Sequence, residues 1–209
     1  MKNKVKALLF DFDGVIVDTF KISYDITQVL ITPPPSEDEY RHWFDGNIYE
    51  QYDNEEGKKG EHIIDDDDPF FKIYIPKLME KGPIEGVVNT IKKLHKNYRM
   101  AIVSSTLSSP IEAYLTKHDL MCHFDKVYGS NIHKSKVVKI KIALADLGLN
   151  ENDCIFITDT LGDMREAQKV GVKSLGVSWG FQGREFLEQG SPLAIVDSPG
   201  ELFGTLQNL

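Results

Sequence analysis

Two pairs of aspartates in this sequence are spaced so that each pair can present its carboxylates together. Asp11 and Asp13 are two residues apart, and an extended backbone turns both side chains to one side. Asp159 and Asp163 are four residues apart, which is one turn of a helix. Carboxylates gathered in one place repel one another, so such a site is costly without a cation. Oxygen ligands without thiolates or clustered imidazoles favour Mg²⁺.

The first pair also fits covalent chemistry at phosphorus. An aspartate in water has a pKa of about 3.9, so it is ionised at neutral pH and can attack without a separate base. A second carboxyl two residues away can protonate the leaving oxygen and later deprotonate the water that cleaves an aspartyl-phosphate. Asp11 and Asp13 are therefore candidate catalytic residues as well as candidate metal ligands.

Short apolar runs recur along the chain and predict the elements that hold these residues. Their continuous apolarity is typical of strands covered on both faces, and helix-length segments with a 3.6-residue period lie between them. This alternation predicts an α/β protein with a doubly wound parallel sheet. The runs are 5–10, 100–103, 154–157, 175–177 and 193–196.

Three of these runs end in small oxygen-bearing residues. Asp11 follows the first run, Ser104 follows the second, and Thr158 and Asp159 follow the third. Ligands of an open parallel sheet bind beyond the carboxyl ends of its strands. We therefore expect these polar residues to converge in one crevice.

Residues 15–82 have a different pattern, with three consecutive prolines at 33–35, aromatic clusters and no strand signal. The pattern predicts a helical cap domain inserted after the first strand. The predicted core domain then consists of residues 1–14 and 83–209.

The polar residues at the strand ends resemble the four motifs of the haloacid dehalogenase superfamily, in the same order. They are DFDGV at 11–15, Ser104, a lysine, and DTLGD at 159–163. The insertion at 15–82 is placed as in members with a helical C1 cap, the phosphoglycolate phosphatase and β-phosphoglucomutase-like branch. The resemblance covers essentially the whole core.

This resemblance implies a role for each matching residue. Asp11 would be the nucleophile and a metal ligand, and Asp13 the general acid and base with its backbone carbonyl on the metal. Ser104 would bind the phosphoryl group. Asp159 would bind the metal, and Asp163 would bind it directly or through water. The implied protein is a Mg²⁺-dependent phosphatase that acts on a small phosphorylated metabolite.

The motif lysine has two candidates. Family members place it either 25 residues before the first aspartate of the last motif, at Lys134, or 23 residues before it, at Lys136. Ser135 stands where a proline often follows in the first pattern, whereas Lys136 follows a plausible helix cap in the second. The sequence leaves both open.

The presence of Asp13 distinguishes phosphoryl transfer from dehalogenation within this superfamily. Dehalogenases of this superfamily lack the second carboxylate, because a departing halide needs no proton. A phosphomutase of the same superfamily, or a non-catalytic binding module that retained the fold, is the alternative to a phosphatase.

Composition limits the partners. The chain has 24 Lys and Arg against 32 Asp and Glu, a formal net charge of −8, which disfavours nucleic acid and anionic membrane surfaces. Its two cysteines lack metal-ligand spacing and suit a reducing cytoplasm. The oligomeric state is left open.

Four polar residues near the motifs have simpler structural interpretations. Asp18 and Thr19 are expected to form the N-cap of the helix that follows them. Lys139 and Lys141 are expected to lie on a solvated helix face.

Overall fold

A computed structural model describes residues 5–55, 65 and 67–209 of the chain. At its centre is a sheet of six parallel strands in the order β3-β2-β1-β4-β5-β6. The strands are β1 (Ala7–Phe10), β2 (Arg99–Val103), β3 (Lys126–Tyr128), β4 (Cys154–Thr158), β5 (Lys173–Val177) and β6 (Ile195–Val196). The predicted doubly wound α/β fold is confirmed.

β1 is central because both of its faces are buried. Leu8 and Phe10 pack into the cluster on one side of the sheet, and Ala7 and Leu9 pack into the cluster on the other. The five predicted strands are confirmed, with shifts of one or two residues at their ends. The prediction missed β3, because only three residues form it and the first of them, Lys126, is exposed.

Within the described residues, four α-helices lie in the segment 15–82 that follows β1. They are α1 (Phe20–Leu30), α2 (Glu37–His42), α3 (Ile48–Glu55) and α4 (Pro69–Glu80). The proline run separates α1 from α2, and Ser36 and Glu39 form a reciprocal capping box at the start of α2. Residues 56–64 and 66 of the predicted cap, and 1–4 of the predicted core, lie outside the described residues.

The remaining helices cover the sheet. They are α5 (Val87–Leu94), α6 (Ser108–Lys117), α7 (Lys136–Leu147), α8 (Leu161–Gln168), α9 (Arg184–Leu187) and α10 (Pro199–Asn208). The ends of α7 match their sequence signals. The Ser135 side chain accepts a hydrogen bond from the Val137 N–H, and Gly148 ends the helix with φ +65°. No helix in the described ranges is both long enough and apolar enough to cross a bilayer.

The strand order fixes where the chemistry can occur. The chain winds from β1 through β2 to β3, and then returns past β1 to add β4, β5 and β6 on its other side. A crevice therefore opens beyond the carboxyl ends of β1 and β4, where the strand order reverses. Asp11 follows β1 and Asp159 follows β4 at this point.

Candidate active site

Asp11 and Asp159 line one cavity at the sheet's reversal point. The Asp11 N–H donates to the carbonyl of Ile157 at 2.9 Å, which continues the pairing of β1 with β4 as far as Asp11. Both aspartates are almost completely buried. The predicted convergence of the two strand ends is therefore found in the structure.

Lys136 connects the first and last motifs. It is the first residue of α7 and is 3% exposed. Its Nζ lies 2.7 Å from Asp11 Oδ2 and 2.5 Å from Asp163 Oδ2. Asp163 also accepts a hydrogen bond from the Thr158 hydroxyl at 2.7 Å. The aspartate four residues after Asp159 thus faces the same ammonium as Asp11.

Lys134 has a different environment. Its backbone carbonyl accepts a 3.5 Å hydrogen bond from the Asn47 side chain, and its Nζ lies 5.9 Å from the centre of the Tyr49 ring. Of the two candidates for the motif lysine, Lys136 is the one whose ammonium contacts the motif aspartates.

Asp13 is held by three hydroxyl groups. Thr19 donates to its Oδ1 at 2.7 Å, and Thr106 donates to its Oδ2 at 2.8 Å. The hydroxyl of Tyr74, on α4 of the insertion, also donates to Oδ1. Core and insertion therefore both orient this carboxylate.

The role expected for Thr19 is wrong in part. Thr19 does precede the first residue of α1, but its side chain makes no capping hydrogen bond. It is fully buried and turns to Asp13 instead. The half-buried Asp13 carboxylate has lost part of its hydration and needs hydrogen-bond donors, which explains why the Thr19 hydroxyl donates to it.

Asp159 is enclosed by two glycines. A Cβ on Gly14 would lie 1.9 Å from Asp159 Oδ2, and a Cβ on Gly180 would lie 2.3 Å from the same oxygen. Oδ2 accepts a 2.7 Å hydrogen bond from the Phe181 N–H. Oδ1 is buried and has no hydrogen-bond partner among the described residues.

Burial dominates the electrostatics of these groups. It raises the pKa of Asp11 well above the usual value, against the opposing effect of Lys136 and with a further increase from Asp163. Burial likewise raises the pKa of Asp159 to about 7. For Lys136, burial alone would lower the pKa, but the adjacent carboxylates of Asp11 and Asp163 outweigh it and the pKa is raised.

The segment after β2 forms another wall of the cavity. Ser105 and Thr106 line it, whereas Ser104 lies behind them, fully buried, and its hydroxyl accepts a 2.9 Å hydrogen bond from the Thr106 N–H. Contact between Ser104 and a phosphoryl group therefore stays a prediction.

The solvated position expected for Lys139 is wrong. Its side chain is 0% exposed, and its Nζ donates to the Ser104 carbonyl at 2.5 Å. Lys139 follows Lys136 by three residues, so both lie on the face of α7 that turns toward the site. Lys141 is exposed, as predicted.

Glu166 lines the same cavity and was not predicted from the sequence. This buried carboxylate accepts hydrogen bonds at 2.9 Å from the Ser135 hydroxyl and from the Lys136 N–H. Asn47, in the insertion, donates to it at 3.2 Å. Glu166 therefore joins α8, the start of α7 and the insertion. Its spacing of three residues from Asp163 on one helix was the available signal.

The cavity has a volume of about 340 Å³ and lies between the core and the insertion. Small-molecule sites commonly span roughly 300–1,000 Å³, so this one suits a small ligand. The insertion supplies most of its apolar wall, with Leu30, Ile31, Tyr40, Phe44, Ile48, Tyr49, Phe70, Phe71 and Tyr74.

The acidic groups fit a hard divalent cation. The carboxylates of Asp11, Asp159 and Asp163 are buried, and the Lys136 ammonium contacts those of Asp11 and Asp163. Asp159 Oδ1 lacks a hydrogen-bond partner among the described residues. Within the described ranges, no three acidic, histidine or cysteine side chains already converge as a ligand set. Mg²⁺ typically needs one or two protein carboxylates, with water and substrate oxygens completing the shell.

Comparison with known proteins identifies the family. The family model described as haloacid dehalogenase-like hydrolase matches residues 8–177. This chain belongs to that family. The membership predicted from the four motifs is thereby confirmed, and the protein is a hydrolase.

The chain is also similar over nearly its whole length to a curated relative and to solved structures. Pyrophosphatase PpaX of Bacillus cereus (strain AH820) is 25% identical over 216 residues, which cover 99% of this chain and 98% of that protein. A predicted phosphatase from Clostridium acetobutylicum has a TM-score of 0.80 at 20% identity, covering 99% of this chain and 100% of its own. A predicted phosphoglycolate phosphatase from Haemophilus somnus 129PT has a TM-score of 0.73 at 19% identity, covering 96% and 97%. The two structures share the fold.

Proposed function

We propose that this hydrolase is a Mg²⁺-dependent phosphatase that cleaves a small phosphorylated metabolite through an aspartyl-phosphate on Asp11. The observation that carries the proposal is the contrast between two carboxylates in one cavity. Asp11 is buried against the Lys136 ammonium, whereas Asp13 is half-buried and accepts three hydroxyl hydrogen bonds. A nucleophile with a separate acid and base beside it is what two-step phosphoryl transfer needs.

In the first step, a carboxylate oxygen of Asp11 attacks phosphorus, and the bond from phosphorus to the leaving oxygen breaks. Asp13 gives its proton to that oxygen, so the product leaves as a neutral hydroxyl compound. Lys136, adjacent to Asp11, stabilises the charge on the phosphoryl oxygens.

In the second step, water attacks phosphorus and transfers its proton to Asp13. The bond between phosphorus and Asp11 breaks, which releases inorganic phosphate and restores both side chains. The hydroxyls of Thr19, Tyr74 and Thr106 keep Asp13 oriented through both proton transfers. The net reaction consumes one water for each phosphate ester cleaved.

The residues that would hold Mg²⁺ are Asp11, Asp159 and Asp163, together with the backbone carbonyl of Asp13. The ion, when bound, supplies positive charge to the phosphoryl oxygens and to the crowded carboxylates. The unpartnered Asp159 Oδ1 and the excess of buried carboxylates over ammonium groups among the described site residues support this assignment.

The relatives support phosphatase chemistry without naming the substrate of this chain. One is named for pyrophosphate and another for phosphoglycolate, and both molecules are small phosphorylated anions. We place the reaction in the cytoplasm. Cys122 and Cys154 are both free thiols, which suits a reducing compartment.

The test uses p-nitrophenyl phosphate and Mg²⁺ with release of inorganic phosphate as the measurement. Asp11→Asn is expected to lower kcat by about a thousandfold or more, because it removes the nucleophile. Asp13→Asn should slow turnover by roughly 10²–10⁴-fold, because the water of the second step loses its general base. Asp18→Asn, at an exposed position of the same segment, is the control and should keep full activity.

Two results would favour the alternatives. A phosphomutase would convert a phosphorylated substrate into a phosphorylated product without net release of inorganic phosphate. A non-catalytic module would give the same background rate for Asp11→Asn as for the wild-type chain. Circular dichroism of each variant establishes that the substituted chain is folded.

A further inference from the structure

The half of the cavity that faces away from the catalytic motifs is apolar. The insertion contributes aromatic and aliphatic side chains to it, together with Ser23, Gly46, Pro69 and the carboxylate of Asp68. Among the described residues, Lys136 is the one cation that lines the cavity. Its ammonium already faces Asp11 and Asp163 at the motif end.

Three basic side chains of the insertion have partners away from this wall. The first is Arg41, whose guanidinium donates to Glu37 at 2.7 Å and to the Phe181 carbonyl, and lies 3.9 Å from the centre of the Phe20 ring. Arg41 does not line the cavity.

His42 and Lys72 are likewise engaged elsewhere. His42 lies 3.0 Å from Asp45, and the Lys72 ammonium lies 2.9 Å from Asp67. Both side chains are more than half exposed and neither residue lines the cavity. None of the basic residues in the described part of the insertion lines the cavity, so this wall offers no described cationic partner for an anionic leaving group.

The apolar wall begins beside Asp13, the proposed general acid and base. The Tyr74 hydroxyl donates to Asp13, and the Phe70 ring stacks on the Tyr74 ring with centres 5.4 Å apart and planes 18° apart. A group that receives a proton from Asp13 would thus continue along these two rings. Stacked aromatic faces favour a flat, apolar or aromatic group.

Building on the proposed phosphatase function, we infer that the substrate is a phosphate monoester whose leaving group is uncharged and apolar, with an aromatic ring preferred. A carboxylate or second phosphate on the leaving group would lose its water against these rings, and no described basic residue of the insertion lines the cavity to compensate it. The neutral hydroxyl compound leaves through the same apolar wall after it accepts the Asp13 proton.

The test compares benzyl phosphate with 4-carboxybenzyl phosphate. The two leaving alcohols have nearly equal reactivity, so the ratio of their kcat/KM values reports the effect of the added charge. We expect the kcat/KM value for benzyl phosphate to exceed that for 4-carboxybenzyl phosphate by about tenfold or more. Phosphoglycolate and pyrophosphate, assayed in parallel, should have lower kcat/KM values than benzyl phosphate.

The variant Phe70→Lys adds a positive charge to the apolar wall. A lysine on this wall should shift the ratio toward 4-carboxybenzyl phosphate by about fivefold or more, because it supplies the missing partner. Phe186→Lys is the control, since Phe186 is also half-exposed but lies outside the cavity wall, and the ratio should stay at the wild-type value. The ratio within one variant does not depend on how much of that variant is folded.

The possible outcomes separate the two levels of the proposal. Equal or faster turnover of 4-carboxybenzyl phosphate, phosphoglycolate or pyrophosphate, abolished by Asp11→Asn, would overturn this inference and leave the phosphatase function standing. If no phosphate ester is hydrolysed in a manner that depends on Asp11, both proposals fail. A Phe70→Lys ratio equal to that of the wild type would also contradict the assignment of this wall.

Discussion

The ammonium of Lys136 lies 2.7 Å from the carboxylate of Asp11, although 125 positions separate the two residues in the sequence. The first turn of α7 and the end of β1 are joined by this buried ion pair. Removing one partner of a buried pair leaves the other charged and without compensation. The pair is therefore expected to stabilise the folded chain.

We predict that Lys136→Met lowers kcat by roughly 10²–10³-fold, because it removes the positive charge beside the nucleophile. In the absence of Mg²⁺, it should also lower the free energy of unfolding by about 3–5 kcal/mol. Mg²⁺ should recover part of this stability by neutralising Asp11 and Asp163. Urea denaturation with and without Mg²⁺ measures both effects on stability, and phosphate release measures kcat.

Lys134→Met is the matched comparison, because Lys134 is the other candidate for the motif lysine. Its carbonyl, which the substitution retains, accepts the hydrogen bond from Asn47. We expect its kcat to stay close to the wild-type value. A large loss of kcat in Lys134→Met with normal turnover in Lys136→Met would reverse the assignment.

The hydroxyl of Tyr74 gives a second prediction. Burial and the adjacent Asp13 carboxylate raise the pKa of Tyr74, so the phenol keeps its proton and remains a donor. Tyr74→Phe should lower kcat for benzyl phosphate by about tenfold, because Asp13 is less well oriented to protonate the leaving oxygen. The loss should be smaller for p-nitrophenyl phosphate, whose phenolate leaves without a proton.

Tyr114→Phe is the control for this prediction. Tyr114 is also fully buried, and its hydroxyl has no hydrogen-bond partner among the described residues. Its removal should leave kcat unchanged for both substrates. An equal loss of kcat for benzyl and p-nitrophenyl phosphate in Tyr74→Phe would argue against a role in proton transfer.

The sequence predicted the sheet well because burial on both faces leaves a strong local signal. Continuous apolar runs marked five of the six strands, and Ser135 and Gly148 marked the ends of α7. β3 was missed because a three-residue strand carries too little pattern to separate it from a loop.

The sequence predicted which short motifs meet at the strand ends, and not the contacts that other elements make with them. The Tyr74 contact with Asp13 depends on how α4 packs against the core, which no local spacing encodes. Lys139 resembles a surface lysine in sequence, because a hydrogen bond to the Ser104 carbonyl appears only in three dimensions. Lys134 and Lys136 could be distinguished only by the contacts of their ammonium groups.

A third prediction compares two glycines with similar backbone conformations. Gly14 has φ +72° and Gly148 has φ +65°, so alanine is strained at both and should cost about 1 kcal/mol or more of stability. Only at Gly14 would the new Cβ meet Asp159, 1.9 Å from Oδ2. Gly14→Ala should therefore also raise the Mg²⁺ concentration needed for half-maximal activity.

Gly148→Ala should keep the wild-type Mg²⁺ requirement, since no described atom lies within 4 Å of the added Cβ. Titration of activity with Mg²⁺ at saturating substrate measures the Mg²⁺ requirement of each variant. Thermal denaturation measures the loss of stability that the backbone strain causes in both. An unchanged Mg²⁺ requirement in Gly14→Ala would remove Asp159 from the metal site.

The buried ammonium of Lys139 gives the last prediction. Burial and the like charge of Lys136 lower the pKa of Lys139 to about 7, although Asp11, Asp163 and Glu166 favour its charged form. In the unfolded chain a lysine has a pKa of about 10.4. Between these two pKa values, the unfolded chain holds more protons on Lys139 than the folded chain does. The contribution of Lys139 to the free energy of unfolding therefore increases as pH rises.

Lys139→Met removes this contribution and leaves the other ionisable groups in place. The wild-type free energy of unfolding minus that of Lys139→Met should therefore increase by roughly 2–4 kcal/mol between pH 6 and pH 10. Lys141→Met, on the exposed face of the same helix, should show no such slope. Urea denaturation of the three proteins at several pH values measures the differences. A flat difference for Lys139→Met would mean that Lys139 keeps the pKa of a solvated lysine, and that its ammonium is not enclosed behind the Ser104 carbonyl.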